Sequence, residues 1–450
     1  MKASRFLTLA NTSDGKILAW SSYTGALAKV DGEFLAVIDA LRNGRNIDAD
    51  STLIREMLRC GFIVDDDIDE VSAYGALVQR EKHRANMLKL IIAPTLDCNF
   101  SCPYCFETRK DVRMSRDIQD AISRYARKKL GEGIVKSFSV VWYGGEPLLE
   151  KNIIAGMSES FMKTCREFGV RYSASIITNG YLADAGTVAL LKDCGVSFAQ
   201  VTIDGSPEIH NARRFLRASN AEGTYAKIID GVNLMCASGI RVAVRMNVDR
   251  NNAGQTEECI SFLAESIRDK SAVIFSPGHV VNYEGKSSYC LTKEEYGAIL
   301  LECMSQCTAH NLPFSQKFSL PKLRASFCTA TQTGSFVIDP EGRVYKCWND
   351  IGMNEYSIGN VYGLCENGLA DEFSRSEWAD YSQMNYDTCR NCELLPVCAG
   401  GCPRMSVHFG KSPECESCKY ILCGLLEKQY MKVKGGVKNG DGNRTFADSV

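Results

Sequence analysis

Between Met87 and about Pro277 the chain alternates between two hydrophobic rhythms. Short runs of apolar β-formers occur at Leu88–Ala93, Phe138–Trp142, Ser173–Thr178, Phe198–Ile203, Val242–Val248 and Ala272–Phe275. Between them, apolar residues recur every three or four positions, as in Ile118/Ile122/Tyr125 and Ile228/Ile229/Val232. The short runs predict buried strands, and the longer spacing predicts helices with one apolar face. Six such units predict an α/β fold with a parallel sheet, open or closed only partly into a barrel. Binding sites on such sheets gather on loops at the carboxyl ends of the strands.

Residues 1–82 follow another pattern. Phe6–Ala10, Lys16–Ser21 and Ala26–Val30 read as short strands, broken at Asp14-Gly15 and Thr24-Gly25. Phe34, Val37, Ile38 and Leu41 keep helical spacing; a second helix carries Leu53, Met57 and Leu58 and stops at Gly61, a plausible left-handed cap. Phe62–Val64 returns as a strand, and Gln79–Arg84 reads as a linker helix. Strands, helices and a last short strand suit a winged-helix-like module. Residues 291–326 read as bridging helices, 327–430 as a cysteine-rich module, and 431–450 as a disordered tail, rich in Gly, Asn and Asp from Val433 onward.

Composition narrows the function classes. At 450 residues there is room for two or three domains. A net charge of −2 gives no case for nucleic acid or an anionic membrane, and no apolar run reaches the roughly 20 residues that span a bilayer. The apolar stretch Phe6–Ala10 is too short for a signal-peptide core. The expectation is a cytoplasmic protein whose 21 cysteines serve packing and metal clusters rather than disulfides. Cys60, Cys165, Cys194, Cys236, Cys259, Cys290, Cys303 and Cys307 are read as packing residues.

Cys98, Cys102 and Cys105 stand in a C-x3-C-x2-C pattern just after the first predicted strand of the sheet. Three soft thiolates suit an iron–sulfur cluster, whereas a structural zinc site needs four ligands. Gly144-Gly145-Glu146-Pro147 follows the second strand; its glycines permit close backbone approach, and Glu146 can accept from an ammonium group. Ser175 and Asn179 lie at the end of the third strand, before Gly180. Thr202-Ile203-Asp204-Gly205-Ser206-Pro207 leads to His210, Arg213 and Arg214 after the fourth. Arg245 and Asn247 alternate to one face of the fifth.

This set resembles the radical S-adenosylmethionine (SAM) superfamily, whose loop is C-x3-C-x-aromatic-C; Tyr104 supplies the aromatic. The resemblance implies a [4Fe–4S] cluster on Cys98, Cys102 and Cys105, with its free iron chelated by SAM. Reductive cleavage then yields a 5′-deoxyadenosyl radical. GGEP would face the SAM amino group, Ser175 and Asn179 the ribose, and an arginine the carboxylate. Arg214 fits that register better, with Arg213 adjacent. Asn211 stands where the family usually has aspartate, and His210 is expected to be structural.

The C-terminal pattern is Cys328, a hairpin (Phe336–Ile338, Asp339-Pro340-Glu341-Gly342, Val344–Lys346), Cys347, then Cys389-x2-Cys392-x5-Cys398-x3-Cys402, then Cys415, Cys418 and Cys423. It looks like the SPASM module of radical SAM peptide and protein modifiers. That resemblance implies two auxiliary [4Fe–4S] clusters, three in all. Cys389, Cys392 and Cys398 would hold the outer one with Cys415, Cys418 being the runner-up. Cys328, Cys347 and Cys402 would hold the inner one. No thiol follows Cys328 closely, so the inner cluster has either an open iron or Cys365 as its fourth ligand. Trp348 stands where sulfatase maturases carry an aspartate base after this cysteine; Asp350 is a nearby catalytic candidate, out of register.

The chain is therefore expected to be a radical SAM enzyme with a partial (β/α)6 TIM-type barrel at 83–290. It would install a cross-link, a Cys thioether, in a ribosomally made precursor peptide whose leader docks on residues 1–82. A flavodoxin- or ferredoxin-type protein would supply electrons. Carbon–carbon or carbon–oxygen cross-linking and sulfatase-type Cys/Ser oxidation are the alternatives within the class. An iron–sulfur electron carrier or a zinc scaffold are those outside it.

Overall fold

A computed structural model describes residues 1–218, 223–281, 289–315, 320–367, 373–374 and 376–434. In the N-terminal part, β1 (Lys2–Ala3) pairs with the late strand β5 (Ile63–Val64), while β2 (Leu7–Asn11), β3 (Ile17–Ser21) and β4 (Leu27–Val30) form an antiparallel meander. Between them lie α1 (Gly32–Arg42), capped by Asp31, and α2 (Thr52–Cys60), capped by Ser51. Gly61 ends α2 in the left-handed conformation (φ 72°), as its position predicts. The expected linker helix is longer and firmer than its sequence suggests: α3 spans Glu70–Lys82. Tyr74 and Val78 are buried against Phe6 and Leu395, and the Lys82 ammonium donates to the Ala379 and Tyr381 carbonyls (3.0 Å for the latter).

The central sheet begins with β6 (Met87–Ile92). It continues through α4 (Arg116–Gly131), β7 (Ser137–Trp142), α5 (Lys151–Phe168), β8 (Arg171–Thr178), α6 (Ala185–Asp193) and β9 (Val196–Thr202). Then come α7 (Pro207–Arg213), α8 (Tyr225–Ala237), β10 (Arg241–Val248), α9 (Thr256–Ser266) and β11 (Val273–His279). The six strands are parallel and lie in chain order, β6 next to β7 and so on to β11. Each predicted strand is present, the sixth running on to His279. After α10 (Lys293–Ala309), β12 (Ser335–Ile338) adds to β6 in parallel, and β13 (Arg343–Tyr345) and β14 (Gly359–Asn360) extend the same sheet antiparallel. The nine strands form an open row, so the barrel does not close. The chain ends in α11 (Val361–Asn367), several short turns and α12 (Cys418–Lys434). Residues 435–450 of the expected tail lie outside the described residues; Lys432 and Lys434 belong to α12.

Alternation along the strands sorts the core into two layers. Leu88, Leu90, Ile92, Val140, Trp142 and Ile176 pack outward against α4, α5 and α8. Ile91, Ala93, Val141 and Tyr143 face inward with Val337, Tyr345 and Ile351 from the C-terminal module. Cys165, Cys194, Cys236, Cys259, Cys303 and Cys307 are buried in the outer layer; Cys60 and Cys290 are half-buried. No described helix is long and apolar enough to cross a membrane.

Candidate functional site

The loop after β6 carries Cys98, Cys102 and Cys105 and is tied down on two sides. From one side, Gly145 N donates to Thr95 O (3.3 Å) and Glu146 N to Asp97 O (2.9 Å). From the other, Ser101 N donates to Phe215 O (3.0 Å), Arg217 N to Asn99 O (2.9 Å), and the Arg217 guanidinium pairs with Asp97 (2.8 Å). Burial, helped by the Glu146 carboxylate, pushes the Cys98 thiol up to about 12; burial and Glu107 push Cys105 up to about 11. Burial also raises Cys102, against the pull of Arg214. Metal binding must therefore displace protons from this loop. Among the described residues no three Cys, His, Asp or Glu side chains close around a single-ion position.

Gly144 and Gly145 are glycines because the loop backbone lies against them. A Cβ on Gly144 would meet Thr95 O at 2.3 Å, and one on Gly145 would meet Asp97 O at 2.3 Å. Pro147 starts the following 3-10 turn. Glu146 is bonded within the chain itself. Its side chain is fully buried and accepts from Leu148 N (2.9 Å), Thr178 Oγ1 (2.7 Å) and Asn179 N (2.7 Å). Those bonds join the GGEP turn to the end of β8, so the carboxylate positions the site. Asn179 in turn donates to Asn99 Oδ1 (2.8 Å) and lies 3.9 Å from the Cys98 sulfur. Ser175 is half-buried four positions earlier on β8.

Asp204 is a buried hub. Its carboxylate accepts from the Tyr104 hydroxyl and from Asn247 N (3.0 Å). Arg214 donates to the Tyr104 oxygen (2.7 Å), and the Arg213 guanidinium lies over the Tyr104 ring at 4.9 Å. The two arginines differ in what they have left to give. Arg213 spends both terminal nitrogens on Asp249 (3.2 and 2.8 Å). Arg214 spends one on Tyr104 and neighbours Cys102, while the buried Nε of each arginine has no hydrogen-bond partner among the described residues. An anionic ligand beside the cluster loop would satisfy that guanidinium, so the residues fit SAM with Arg214 on its carboxylate. His210 is structural: its Nδ1 accepts from Asp204 N (3.3 Å), and burial holds it well below the usual imidazole range. Asn211 Oδ1 accepts from Thr224 N and Tyr225 N (2.8 and 3.0 Å), fixing the start of α8. Arg245 donates to Asn247 Oδ1 (2.7 Å) and lies across Gly278, where a Cβ would meet it at 2.3 Å.

In the C-terminal module, Cys328 and Cys402 are electrostatic neighbours, and Cys347 neighbours both. Cys389, Cys392 and Cys398 neighbour Cys415, while Cys418 neighbours Cys392 and Cys398. Lys419 Nζ lies 3.7 Å from the Cys415 sulfur. Cys365 belongs to neither group. Its thiol points to the Ala121 carbonyl on α4 (3.4 Å), near Arg124 and Lys128. The structure also corrects the reading of Asp350 as a catalytic base. It is fully buried, with one oxygen on Arg404 Nε (2.8 Å) and the other on His408 Nε2 (2.8 Å). It ties the segment after Cys347 to the helix after Cys402.

Sequence reasoning missed two residues beside this site. Tyr143, buried just before GGEP, tilts against Trp348 (5.8 Å between rings), and its hydroxyl faces the Glu107 carboxyl. Burial, partly offset by Tyr143, pushes Glu107 up to about 7, and its Oε2 has no hydrogen-bond partner among the described residues. Trp348 itself is 43% exposed. The clue for Tyr143 was its inward register, two residues beyond Val141. A depression of 370 Å³ between α4 and α5 holds none of the motif residues.

Residues 92–263 match the family model described as Radical SAM superfamily. The chain is 22% identical over 338 residues to a cysteine-type anaerobic sulfatase-maturating enzyme of Clostridium perfringens (strain 13), covering 70% of this chain and 89% of that one. It is 22% identical over 478 residues to the radical SAM cyclopropyl synthase TigE of Paramaledivibacter caminithermalis, covering 95% and 96%. Among solved structures, native anSMEcpe with bound AdoMet and Kp18Cys peptide has a TM-score of 0.62 at 19% identity, covering 78% of this chain and 100% of that one. Streptococcus suis SuiB bound to precursor peptide SuiA has a TM-score of 0.52 at 16% identity, covering 92% and 98%.

Proposed function

We propose that this chain, a radical SAM enzyme by its domain and its motifs, is a peptide maturase that installs a Cys thioether in a ribosomally made precursor peptide. Bound SAM and its [4Fe–4S] cluster would supply a 5′-deoxyadenosyl radical able to take hydrogen from an unactivated carbon. The chain's own residues hold and orient. Cys98, Cys102 and Cys105 would ligate the cluster, and Arg214 would take the SAM carboxylate. Tyr104 and Asp204 keep Arg214 in place, and Glu146 locks the GGEP turn to Asn179. Joining sulfur to carbon removes two hydrogens from the peptide: one leaves as an atom, the other as a proton with one electron to be accepted.

The observation that carries the thioether reading is the inner cysteine group. Cys328, Cys347 and Cys402 gather without a fourth thiol among the described residues, because Cys365 is turned toward Ala121. Three ligands leave room for a substrate thiolate, and Trp348 in place of an aspartate removes the base expected for formylglycine formation. Carbon–carbon bond formation is the second reading, favoured by the end-to-end likeness to a cyclopropyl synthase. A leader docked on residues 1–82 and a flavodoxin- or ferredoxin-type reductant belong to the same proposal. The test is anaerobic incubation of the reconstituted enzyme with SAM, dithionite and a cysteine-containing precursor peptide. The peptide should lose two hydrogens and its free thiol. Two hydrogens lost with the thiol still alkylatable would favour the carbon–carbon reading. An unchanged peptide mass beside vigorous 5′-deoxyadenosine release would count against both.

A further inference from the structure

Cys398 and Cys402 belong to different thiol groups, and three residues separate them. All three are left-handed: Ala399 (φ 51°), Gly400 (φ 80°) and Gly401 (φ 68°). A residue with a side chain rarely adopts that conformation, so Ala399 marks a path held by its surroundings. Both glycines are pressed by neighbours. A Cβ on Gly401 would meet Glu414 O at 1.9 Å, and one on Gly400 would lie 2.4 Å from Gln383 Cβ and 3.1 Å from the Tyr381 hydroxyl. That hydroxyl therefore rests against the strip that joins the two groups. Tyr381 is 7% exposed, and its buried hydroxyl has no hydrogen-bond partner among the described residues. The rest of Tyr381 is tied to both sides. Its ring lies 6.3 Å from that of Tyr386, whose carbonyl accepts from Cys389 N (3.0 Å). Its own carbonyl accepts from the Lys82 ammonium (3.0 Å), and Lys82 O accepts from Thr333 N (2.9 Å) in the turn after Cys328.

Buried polar groups are nearly always paired, and an unpaired one asks for an unseen partner. Tyr74, in the same layer, is the contrast: its hydroxyl donates to Arg324 O (2.9 Å). For Tyr381 the candidate acceptors are sulfurs, since Cys398 stands two residues before Gly400 and Cys402 two residues after it. We propose that the Tyr381 hydroxyl donates a hydrogen bond to a sulfur of an auxiliary cluster beside Gly400, and that this bond raises the reduction potential of that cluster. The inference rests on the reading of Cys389, Cys392, Cys398 and Cys415, and of Cys328, Cys347 and Cys402, as ligands of two auxiliary clusters. Reduction adds one negative charge to a cluster, and a hydrogen bond to sulfur stabilises the reduced state more than the oxidised one. A phenol keeps its proton at neutral pH. Burial, with the Cys389 thiol and then those of Cys328 and Cys402, pushes this one well above the usual phenol range. One hydroxyl has one proton to give, so it serves one cluster. The chain thereby makes that cluster an easier acceptor of the electron released when the cross-link forms.

The test is a potentiometric titration followed by electron paramagnetic resonance. It uses a reconstituted Cys98/Cys102/Cys105→Ala background, where only auxiliary clusters remain. Tyr381→Phe, which keeps the ring and removes the hydroxyl, should move one midpoint to a more negative potential and leave the other in place. Tyr386→Phe should move neither. Electron–nuclear double resonance in D2O is the second readout: the reduced cluster should show a coupled exchangeable proton that Tyr381→Phe removes. Repeating the titration with Cys389→Ala assigns the moved midpoint. A shift that persists belongs to the inner cluster and one that vanishes to the outer, and either supports the inference. Should the triple-alanine background not fold, the same measurements are made on the full enzyme, where added SAM marks the signal of the radical SAM cluster. Unmoved midpoints in Tyr381→Phe with full iron, or an unchanged proton coupling, would overturn the inference while leaving the ligand reading intact. Loss of one cluster's iron in Tyr381→Phe would also overturn it, making Tyr381 structural. Absence of any auxiliary-cluster signal in the parent protein would overturn the ligand reading and this inference together.

Discussion

Replacing Gly145 by alanine tests how the GGEP turn works. The new methyl would sit 2.3 Å from Asp97 O, 2.7 Å from Asp97 C and 2.8 Å from Leu96 O. Ordinary contact begins near 3.4 Å, so one segment must retreat by about 1 Å. Every atom met is backbone, so no side chain can rotate away. Gly145 does not have a positive φ, and the cost is therefore collision alone. Overpacking of this kind costs about 1–3 kcal/mol. The same retreat strains the bonds from Gly145 N to Thr95 O and from Glu146 N to Asp97 O, worth about 0.5–1.5 kcal/mol each. The sum, roughly 2–6 kcal/mol, is below the stability of most domains, roughly 5–15 kcal/mol. The fold should survive while the cysteine loop gives way. A shift of about 1 Å at a reacting centre costs about a hundredfold in rate. The assay is 5′-deoxyadenosine formation from SAM and dithionite, with iron counted per chain. Gly145→Ala should lose about a hundredfold in rate and the iron of one cluster only. Gly156→Ala, where a Cβ meets nothing within 4 Å, is the control. A wild-type rate and iron content in Gly145→Ala would refute the argument that this contact sets the loop.

Arg214→Lys keeps the charge but loses the fork, and should weaken SAM binding at least tenfold, about 1.4 kcal/mol. Equilibrium dialysis checks it, and a larger loss in Arg213→Lys would reverse the assignment. Asp350→Ala removes the buried carboxylate that accepts from Arg404 and pairs with His408, and should cost about 1–3 kcal/mol in denaturant unfolding. If Asp350→Asn instead keeps stability and iron yet abolishes turnover, Asp350 is a base after all. The cluster-free protein should lose thermal stability at alkaline pH. Burial pushes Cys98 and Cys303 up to about 12 from an ordinary value of 9.0. Below pH 9 both folded and unfolded thiols are protonated and the groups contribute nothing; above it the unfolded chain releases protons that the folded chain keeps, so stability falls with rising pH. A melting temperature that holds or rises between pH 9 and 10.5 would contradict this.

The strands of the central sheet were legible because each buries a row of apolar β-formers on its outward face, while polar residues such as Lys89, Ser139, Gln200 and Arg245 are confined to alternate positions. The motif positions were legible because chemistry at strand ends needs particular residue types. The roles of single side chains were harder to read. The sequence places Glu146 after β7 but does not show the three donors of its own chain that it accepts from; two of them come from the end of β8. Asp350 looked catalytic for its nearness to Cys347, yet Arg404 and His408, more than fifty residues later, consume both oxygens. Helix α3 was read only at its end because just Tyr74, Val78 and Lys82 are buried along it, too few to give a clear period.

The same long-range contacts bear on how a leader could reach the N-terminal sheet. One face of the β2–β4 meander packs on α1 and α2 through Ala19, Ala28 and Phe34. The other packs on the C-terminal module through Leu18, Trp20 and Leu27 against Val397, Leu422 and Leu426. With both faces buried, only the outer edges, β2 and β4, can add a strand. The seat of that sheet is the stretch bearing the outer cysteines. The Arg5 guanidinium donates to Arg390 O (2.6 Å), Cys392 packs under Trp20 and its neighbours, and Cys389 packs beside Phe6. Lys82 then ties the end of α3 to the carbonyls of Ala379 and Tyr381. A peptide added at the sheet edge would therefore extend a sheet that is itself seated on the segment bearing Cys389 and Cys392.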